Sequence, residues 1–163
     1  MAERFFSARG LCAGYGDIQV LWDIDIAVPE GEITCIVGSN GAGKTTLLLH
    51  FNGLLPGVDR PENNTYPVRV AGLPAIQENL PAIRKHVGLL FQDPDDQLFC
   101  STVLDDVAFG PLNLGLSREE VRRRVTEHLT AVGLANFESR NTMQLSYGER
   151  KRVCLAGVLA CEP

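Results

Sequence analysis

The sequence lacks long hydrophobic segments, paired cysteines and an excess of positive charge. Its longest uninterrupted apolar run, from Val153 to Cys161, is shorter than the ~18 residues expected of a membrane-spanning helix. Five cysteines occur singly among apolar residues, without a Cys-x-x-Cys pair, which favours reduced, buried thiols in a cytosolic protein and argues against a metal site. The net charge of −5 at pH 7 argues against nucleic acid or an anionic membrane surface as the main partner.

A glycine-rich stretch fits the P-loop pattern, in which a glycine and four further residues precede Gly-Lys-Ser/Thr. Its residues are Gly38, Ser39, Asn40, Gly41, Ala42, Gly43, Lys44, Thr45 and Thr46. Glycines let backbone N–H groups turn toward a polyphosphate. Lys44 can then reach the β- and γ-phosphates, and the hydroxyl of Thr45 can bind Mg²⁺. The stretch therefore predicts that the chain binds a nucleoside triphosphate with Mg²⁺, or descends from one that did.

The residues on either side of the P-loop stretch support this prediction. The β-branched run 33–37 predicts a buried parallel strand, and residues 45–51 predict a helix whose N-terminus faces the phosphates. A plain glycine-rich turn between two core elements is the alternative, and the lysine, the threonine and both flanks disfavour it.

Five further segments between residues 5 and 91 have strand character or loop character. Residues 5–12 and 19–28 predict two strands, the second of them antiparallel and half-buried, with alternating apolar side chains on one face. Those side chains are Trp22, Ile24, Ile26 and Val28. Residues 67–70 and 87–91 predict two more strands, and the polar segment 58–66 predicts a mobile surface loop.

The second half shows helical patterns instead. Thr102 to Asp105 predicts the start of a helix that Gly110-Pro111 stops. Ser117-Arg118-Glu119-Glu120 has the form of a capping box and begins a helix that Gly133 ends. Leu145 to Glu149 opens a last helix that extends to about Ala160.

The segment Leu145-Ser146-Tyr147-Gly148-Glu149 resembles the signature motif of ATP-binding cassette (ABC) proteins. In that family a serine hydroxyl and a glycine N–H at a helix start dock onto the γ-phosphate held by the P-loop of the opposite subunit. The resemblance implies that Ser146, Gly148 and Glu149 contact nucleotide. The family usually has two glycines after the serine, and Tyr147 occupies the first of those positions here. A plain serine N-cap on an amphipathic helix is the alternative.

Two weaker motifs can be assigned a role through this resemblance. Phe91-Gln92, at the predicted end of a strand, resembles the Q-loop of the family, whose glutamine contacts Mg²⁺ and the attacking water. Tyr15 matches the aromatic residue that stacks on adenine, although alone it could equally be a turn residue beside two glycines. The resemblance implies Lys44 and Gln92 as catalytic residues, and Thr45 and Gln92 as Mg²⁺ ligands.

The fold implied by the resemblance is α/β, a P-loop NTPase (RecA-like) core with N-terminal antiparallel β strands and a helical lobe. We expect a single ABC nucleotide-binding domain. Residues 1–96 would form the β-subdomain and P-loop core, residues 97–145 the helical lobe, and residues 146–163 the signature helix.

The segments 87–99 and 105–116 are similar to the ATPase subunits of energy-coupling-factor and cobalt/nickel-type importers. This implies a subunit that couples ATP binding and hydrolysis to uptake of a metal ion or vitamin. Its partners would be a transmembrane transporter subunit and a second ATPase subunit, in a homo- or heterodimer, with no nucleic acid. It would be cytoplasmic, peripheral on the inner face of the cell membrane.

In the family, Glu162-Pro163 leads into a strand with the Walker B aspartate and the catalytic glutamate, and a switch histidine follows. The sequence shows none of these, and Cys161 stands where the aspartate would be. We therefore expect the C-terminal part of the core to be absent, ATP hydrolysis to be impaired, and the chain to be marginally stable alone, as a truncated product or half of a split domain. The alternatives are a non-catalytic ATP-binding or regulatory module and, less favoured, an unrelated P-loop kinase or an ABC protein of DNA repair.

Overall fold

The computed structural model describes residues 4–55 and 67–163, which fall into two compact units, one ending at Val87 and the other beginning at Gly88. Each unit has its own cluster of buried apolar side chains. The predicted surface loop at 58–66 lies outside the described residues.

The first unit is built on a four-stranded antiparallel sheet with the strand order β2-β1-β3-β4. The strands are β1 (Arg4–Tyr15), β2 (Ile18–Pro29), β3 (Val68–Val70) and β4 (Leu73–Pro74). The turn Gly16-Asp17 joins β1 to β2. The strands predicted at 5–12, 19–28 and 67–70 are therefore confirmed, the first two with wider bounds.

The α-helices in the described part of the first unit are α1 (Lys44–Phe51) and α2 (Leu80–His86). The helix predicted over 45–51 is confirmed. Leu47 and Phe51 of α1 are buried in the same apolar cluster as the sheet residues, and the ring centroids of Phe51 and Phe6 lie 4.8 Å apart. This packing ties the helix that follows the P-loop stretch to the sheet.

The predicted alternation along β2 is wrong at Trp22. Ile24 and Ile26 are partly buried against the core, but Trp22 is 67% exposed, and its neighbour Leu21 is buried instead. The backbone of Asp23 has φ of 49°, and the pairing of β1 with β2 shifts register around it. A bulge of this kind shifts the alternation by one residue and so turns the tryptophan outward.

The strands predicted at 33–37 and 87–91 are not formed. Neither segment pairs with a strand in the described part of the chain, and the side chains of Ile33 and Val37 are almost fully exposed. A parallel strand is stable when neighbouring strands satisfy its N–H and C=O groups and cover its faces. Apolar, β-branched composition alone does not supply those partners.

The second unit consists mainly of three helices, α3 (Val103–Asn113), α4 (Arg118–Ala131) and α5 (Tyr147–Ala160). Thr102, Ser117 and Ser146 are their N-caps, and each side chain accepts a hydrogen bond from the backbone amide three residues later. The helices share one core. Its buried residues include Val103, Val107, Val121, Val125, Leu129, Val153 and Ala156.

Two predicted helix signals are corrected. Helix α3 passes through Pro111 and ends at Asn113. The ring of Pro111 is fully buried, and that burial offsets the one helical hydrogen bond that proline cannot make. At α4 only half of the capping box forms, because the carboxylate of Glu120 binds Arg123 and Arg124. Charge-assisted bonds of this kind are stronger than a bond to a backbone amide.

The cysteines are free, but the expectation that all five are buried is wrong. Cys154 is buried, whereas Cys12 and Cys35 are exposed. Cys12 lies on the long hairpin, where its Sγ accepts a hydrogen bond from the backbone of Asp23 at 3.3 Å. Apolar neighbours in the sequence did not predict burial at Cys12, because alternate residues of a strand point to opposite faces. Cys35 lies in the segment 33–37, which forms no strand.

Truncation of a core side chain in the second unit should have a large effect on stability. Leu129 on α4 is fully buried, so we expect Leu129→Ala to lower the free energy of unfolding by about 2–5 kcal/mol. Urea unfolding followed by circular dichroism measures this. The matched control is Leu112→Ala, since Leu112 is 51% exposed and should change stability by less than ~1 kcal/mol. Equal losses in the two variants would contradict the position assigned to α4.

Candidate functional site

The P-loop stretch keeps an irregular backbone until α1 begins at Lys44. Gly41 and Gly43 have φ of 82° and 86°, in the left-handed region that favours glycine. Gly43 is also packed closely, because a Cβ built on it would lie 2.7 Å from Cδ2 of Leu21 on β2. The second of these glycines is therefore required both by its backbone conformation and by the neighbouring strand.

Lys44 folds back onto the stretch that precedes it. Its Nζ donates hydrogen bonds to the backbone oxygens of Gly38 at 2.9 Å and Ser39 at 2.7 Å. The amide of Ala42 donates to the oxygen of Ser39 at 3.2 Å and closes the turn. The loop therefore holds one positive charge at its own backbone, where a polyphosphate ligand would need it.

The start of α1 differs from the starts of the longer helices. Its N-cap is Gly43, which supplies no side-chain hydrogen bond, and no acidic residue lies in its first turn. The N-terminal amides of a helix carry partial positive charge and attract anions. Thr45 is exposed in this turn, and its hydroxyl makes no hydrogen bond to any residue that the structure describes.

Tyr15 lies beside this turn. It is the last residue of β1, and its hydroxyl is 3.5 Å from Oγ1 of Thr46. The side chain is 47% exposed. The structure therefore brings Tyr15 together with the P-loop residues, and the adenine-stacking role implied by the family resemblance stays a prediction.

The segment Leu145–Glu149 forms the start of α5. Ser146 and Glu149 make a full capping box: Oγ of Ser146 accepts from the amide of Glu149, and Oε2 of Glu149 accepts from the amide of Ser146 at 2.8 Å. The hydroxyl of Ser146 also donates to Oε2 of Glu149 at 2.7 Å. These hydrogen bonds lower the pKa of Glu149 below its usual value, and the bond from the hydroxyl has a larger effect than the bond from the amide. The serine therefore does act as an N-cap, and whether it also meets a nucleotide stays a prediction.

Gln92 lies in the same unit as α5. It follows no strand, which corrects the prediction of a strand end, and its side chain is exposed. Its backbone oxygen accepts hydrogen bonds from the hydroxyl of Tyr147 at 3.2 Å and from Nζ of Lys151 at 2.9 Å. Sequence reasoning missed Lys151, because a lysine in a basic run such as Arg150-Lys151-Arg152 is typical of a solvated helix face.

The donor groups of the first unit fit a nucleotide bound together with Mg²⁺. Among the described residues no group of three His, Cys, Asp or Glu side chains could hold a metal ion. Mg²⁺ commonly binds through one or two protein oxygens together with substrate phosphates and water. The free hydroxyl of Thr45, next to Lys44 and the uncapped helix start, is a donor set of that kind.

In the described ranges no helix combines the length and apolar character needed to cross a bilayer.

Comparison with known proteins relates this chain to one family. Residues 21–163 match the sequence model of the family described as ABC transporter. The energy-coupling factor transporter ATP-binding protein EcfA of Methanocaldococcus jannaschii is 49% identical over 144 residues, which are 88% of this chain and 50% of that protein. The cobalt import ATP-binding protein CbiO of Rhodobacter capsulatus is 46% identical over 148 residues, 91% of this chain and 51% of that protein.

A solved structure supports the same relationship. The structure of cbiO1 from Clostridium perfringens, part of the ABC transporter complex cbiONQ, superposes with a TM-score of 0.81 at 35% identity and covers 98% of this chain and 62% of that one. The resemblance inferred from the motifs and the predicted α/β P-loop NTPase fold class are confirmed. The chain spans about half the length of the two named curated relatives.

The two glycines at the left-handed positions should differ in their tolerance of a side chain. Gly41→Ala should cost about 1–2 kcal/mol of unfolding free energy, because of its backbone conformation alone, since nothing lies within 4 Å of a Cβ there. Gly43→Ala should cost about 1–3 kcal/mol more, because its Cβ also crowds Leu21. Urea unfolding compares the two variants. A larger loss in Gly41→Ala would contradict the packing at β2.

The capping box predicts a pH dependence at the start of α5. Since the pKa of Glu149 is lowered in the folded state, the capping box contributes stability above the unfolded pKa of ~4.3 and loses it as pH falls through the folded value. The stability difference between the wild-type chain and Glu149→Gln should therefore be largest at neutral pH and shrink in acid. NMR titration of Glu149 and urea unfolding at several pH values test this. Glu119→Gln, in the first turn of α4, is the control and should show a weaker trend.

Proposed function

This chain belongs to the ABC transporter family, and we propose that it is the ATP-binding part of an importer that takes up a metal ion or vitamin. The observation that carries the proposal is the P-loop stretch, where Lys44 is held at the loop backbone beside a helix start without a side-chain cap. The named relatives, an energy-coupling factor protein and a cobalt import protein, support the importer assignment.

Each part of the first unit has a defined role in this proposal. The amides of residues 41–46 and the ammonium group of Lys44 bind the β- and γ-phosphates. The hydroxyl of Thr45 binds Mg²⁺, which when present neutralises negative charge on those phosphates. The ring of Tyr15, whose hydroxyl lies 3.5 Å from Thr46, stacks on the adenine.

The second unit contributes Gln92 and the start of α5. By the resemblance to the Q-loop, the exposed amide of Gln92 would contact Mg²⁺ and the attacking water. By the resemblance to the signature motif, Ser146, Gly148 and Glu149 would meet the nucleotide that a second ATPase subunit holds. A Cβ at Gly148 would have no heavy atom within 4 Å, so the backbone there is open to a partner. The assembly lies at the cytoplasmic face of the membrane, against a transmembrane transporter subunit.

Hydrolysis by these 163 residues alone should be weak. The groups assigned here bind and orient a nucleotide, and none of them is a carboxylate base that activates water. General-base assistance contributes ~10²–10⁴-fold to rates of this kind. We therefore propose that the chain binds ATP well and hydrolyses it slowly. A non-catalytic ATP-binding or regulatory module would behave in the same way.

Removal of the P-loop lysine tests the proposal. Titration calorimetry of the purified chain with ATP and Mg²⁺ should show Lys44→Ala binding at least ~10-fold more weakly, because hydrogen bonds to a charged group contribute about 1.5–3 kcal/mol. Lys85→Ala is the matched control, since Lys85 is an exposed lysine on α2 of the same unit. Unchanged affinity in Lys44→Ala would overturn the assignment, and steady turnover by the wild-type chain would overturn the claim of weak hydrolysis.

A further inference from the structure

One face of α5 binds the segment that contains Gln92. The face consists of Tyr147, Arg150, Lys151 and Cys154, which follow each other at the spacings i, i+3, i+4 and i+7 and so lie along one side of a helix. Each of them bonds a residue between 91 and 95. We call residues 91–97 the Gln92 segment.

The two bonds to the backbone oxygen of Gln92 are the centre of this contact. Nζ of Lys151 donates to the oxygens of Phe91 and Gln92, the latter at 2.9 Å. The hydroxyl of Tyr147 donates to the same oxygen of Gln92 at 3.2 Å. Lys151 forms no ion pair with any residue in the described ranges, so its charge is directed to these carbonyl groups.

The rest of the Gln92 segment is held on both sides of this centre. Nη1 of Arg150 lies 3.1 Å from Oδ1 of Asp95, and Sγ of Cys154 lies 3.8 Å from the oxygen of Pro94, which is buried. Within the segment, the side chain of Gln97 accepts a hydrogen bond from the amide of Phe91 at 3.1 Å. The backbone around Gln92 is therefore fixed by α5, while the Gln92 side chain stays exposed.

We propose that Tyr147 and Lys151 are positioning residues that hold Gln92 for its contact with the nucleotide-bound metal. This inference rests on the role proposed for Gln92 above. Because Tyr147 lies between Ser146 and Gly148, the same helical turn that offers the start of α5 to a nucleotide also holds Gln92. Tyr147, which replaces the usual glycine of the signature motif, thus donates a hydrogen bond to the Gln92 segment.

Hydrogen exchange tests whether the two side chains hold the segment. Lys151→Met removes the charge and keeps the aliphatic stem, and it should raise the exchange rates of the amides of residues 91 and 95–98 by ~10-fold or more. Tyr147→Phe removes one neutral bond and should raise them by ~3-fold. Lys151→Arg should restore most of the protection, and amides of α4 should keep their wild-type rates in all three variants. Unchanged exchange at 91–98 in Lys151→Met would overturn the proposal.

Nucleotide titrations test whether holding the segment matters for the metal. Lys151→Met and Tyr147→Phe should weaken ATP binding by ~3–10-fold in Mg²⁺ and leave it unchanged in EDTA, since only Mg²⁺-bound nucleotide meets Gln92. Gln92→Ala should behave in the same way, and Lys85→Met is the control for loss of a lysine charge. Faster exchange without any loss of Mg²⁺-dependent affinity would overturn the positioning role.

The two tests separate this inference from the proposed function. If Lys44→Ala leaves ATP affinity unchanged, the proposed function fails, and the positioning role fails with it, whatever the exchange rates are. If Lys44→Ala abolishes binding while Lys151→Met changes neither exchange nor Mg²⁺-dependent affinity, the proposed function stands and the positioning role is wrong.

Discussion

The absence of a side-chain cap at the start of α1 is the feature on which the candidate site depends. Every helix leaves amide groups at its start that need a partner. At α3, α4 and α5 the side chains of Thr102, Ser117 and Ser146 accept hydrogen bonds from these amides. At α1 a left-handed glycine takes the cap position and offers no side chain. The amides there keep their capacity to bind an anion, and Lys44 adds a positive charge beside them.

The requirement for glycine at this position arises from two independent constraints. The backbone of Gly43 is left-handed, and β2 approaches it so closely that a Cβ would crowd Leu21. The hairpin of β1 and β2 thus shapes the loop from one side, and at the end of β1 it places Tyr15 next to Thr46. A sheet formed by residues 4–29 therefore contributes to a site whose recognisable motif lies at 38–46.

Helix α5 contains both the Ser146–Glu149 capping box and the side chains that bind the Gln92 segment. The signature motif predicts only the first of these. Its start is closed by the Ser146–Glu149 capping box, which gives the helix a defined first turn. One of its sides holds the Gln92 segment through Tyr147 and Lys151. Because both contacts belong to one helix, the position of the Gln92 backbone is set by the same element that presents Ser146.

Local patterns in the sequence determined the P-loop stretch, α1, the caps of α3, α4 and α5, and the long antiparallel hairpin, because each depends on residues close together in the chain. Family resemblance added the predicted roles of Tyr15 and Gln92, which no local pattern identifies alone. Tertiary structure decided the features that depend on distant partners. The segments 33–37 and 87–91 need neighbouring strands in order to form strands. The bulge at Asp23 turns Trp22 outward, and Pro111 stays in α3 because its ring is buried. It also decided the bonds from Lys151 to carbonyl oxygens some 60 residues away, since a lysine in a basic run carries no local sign of its partner.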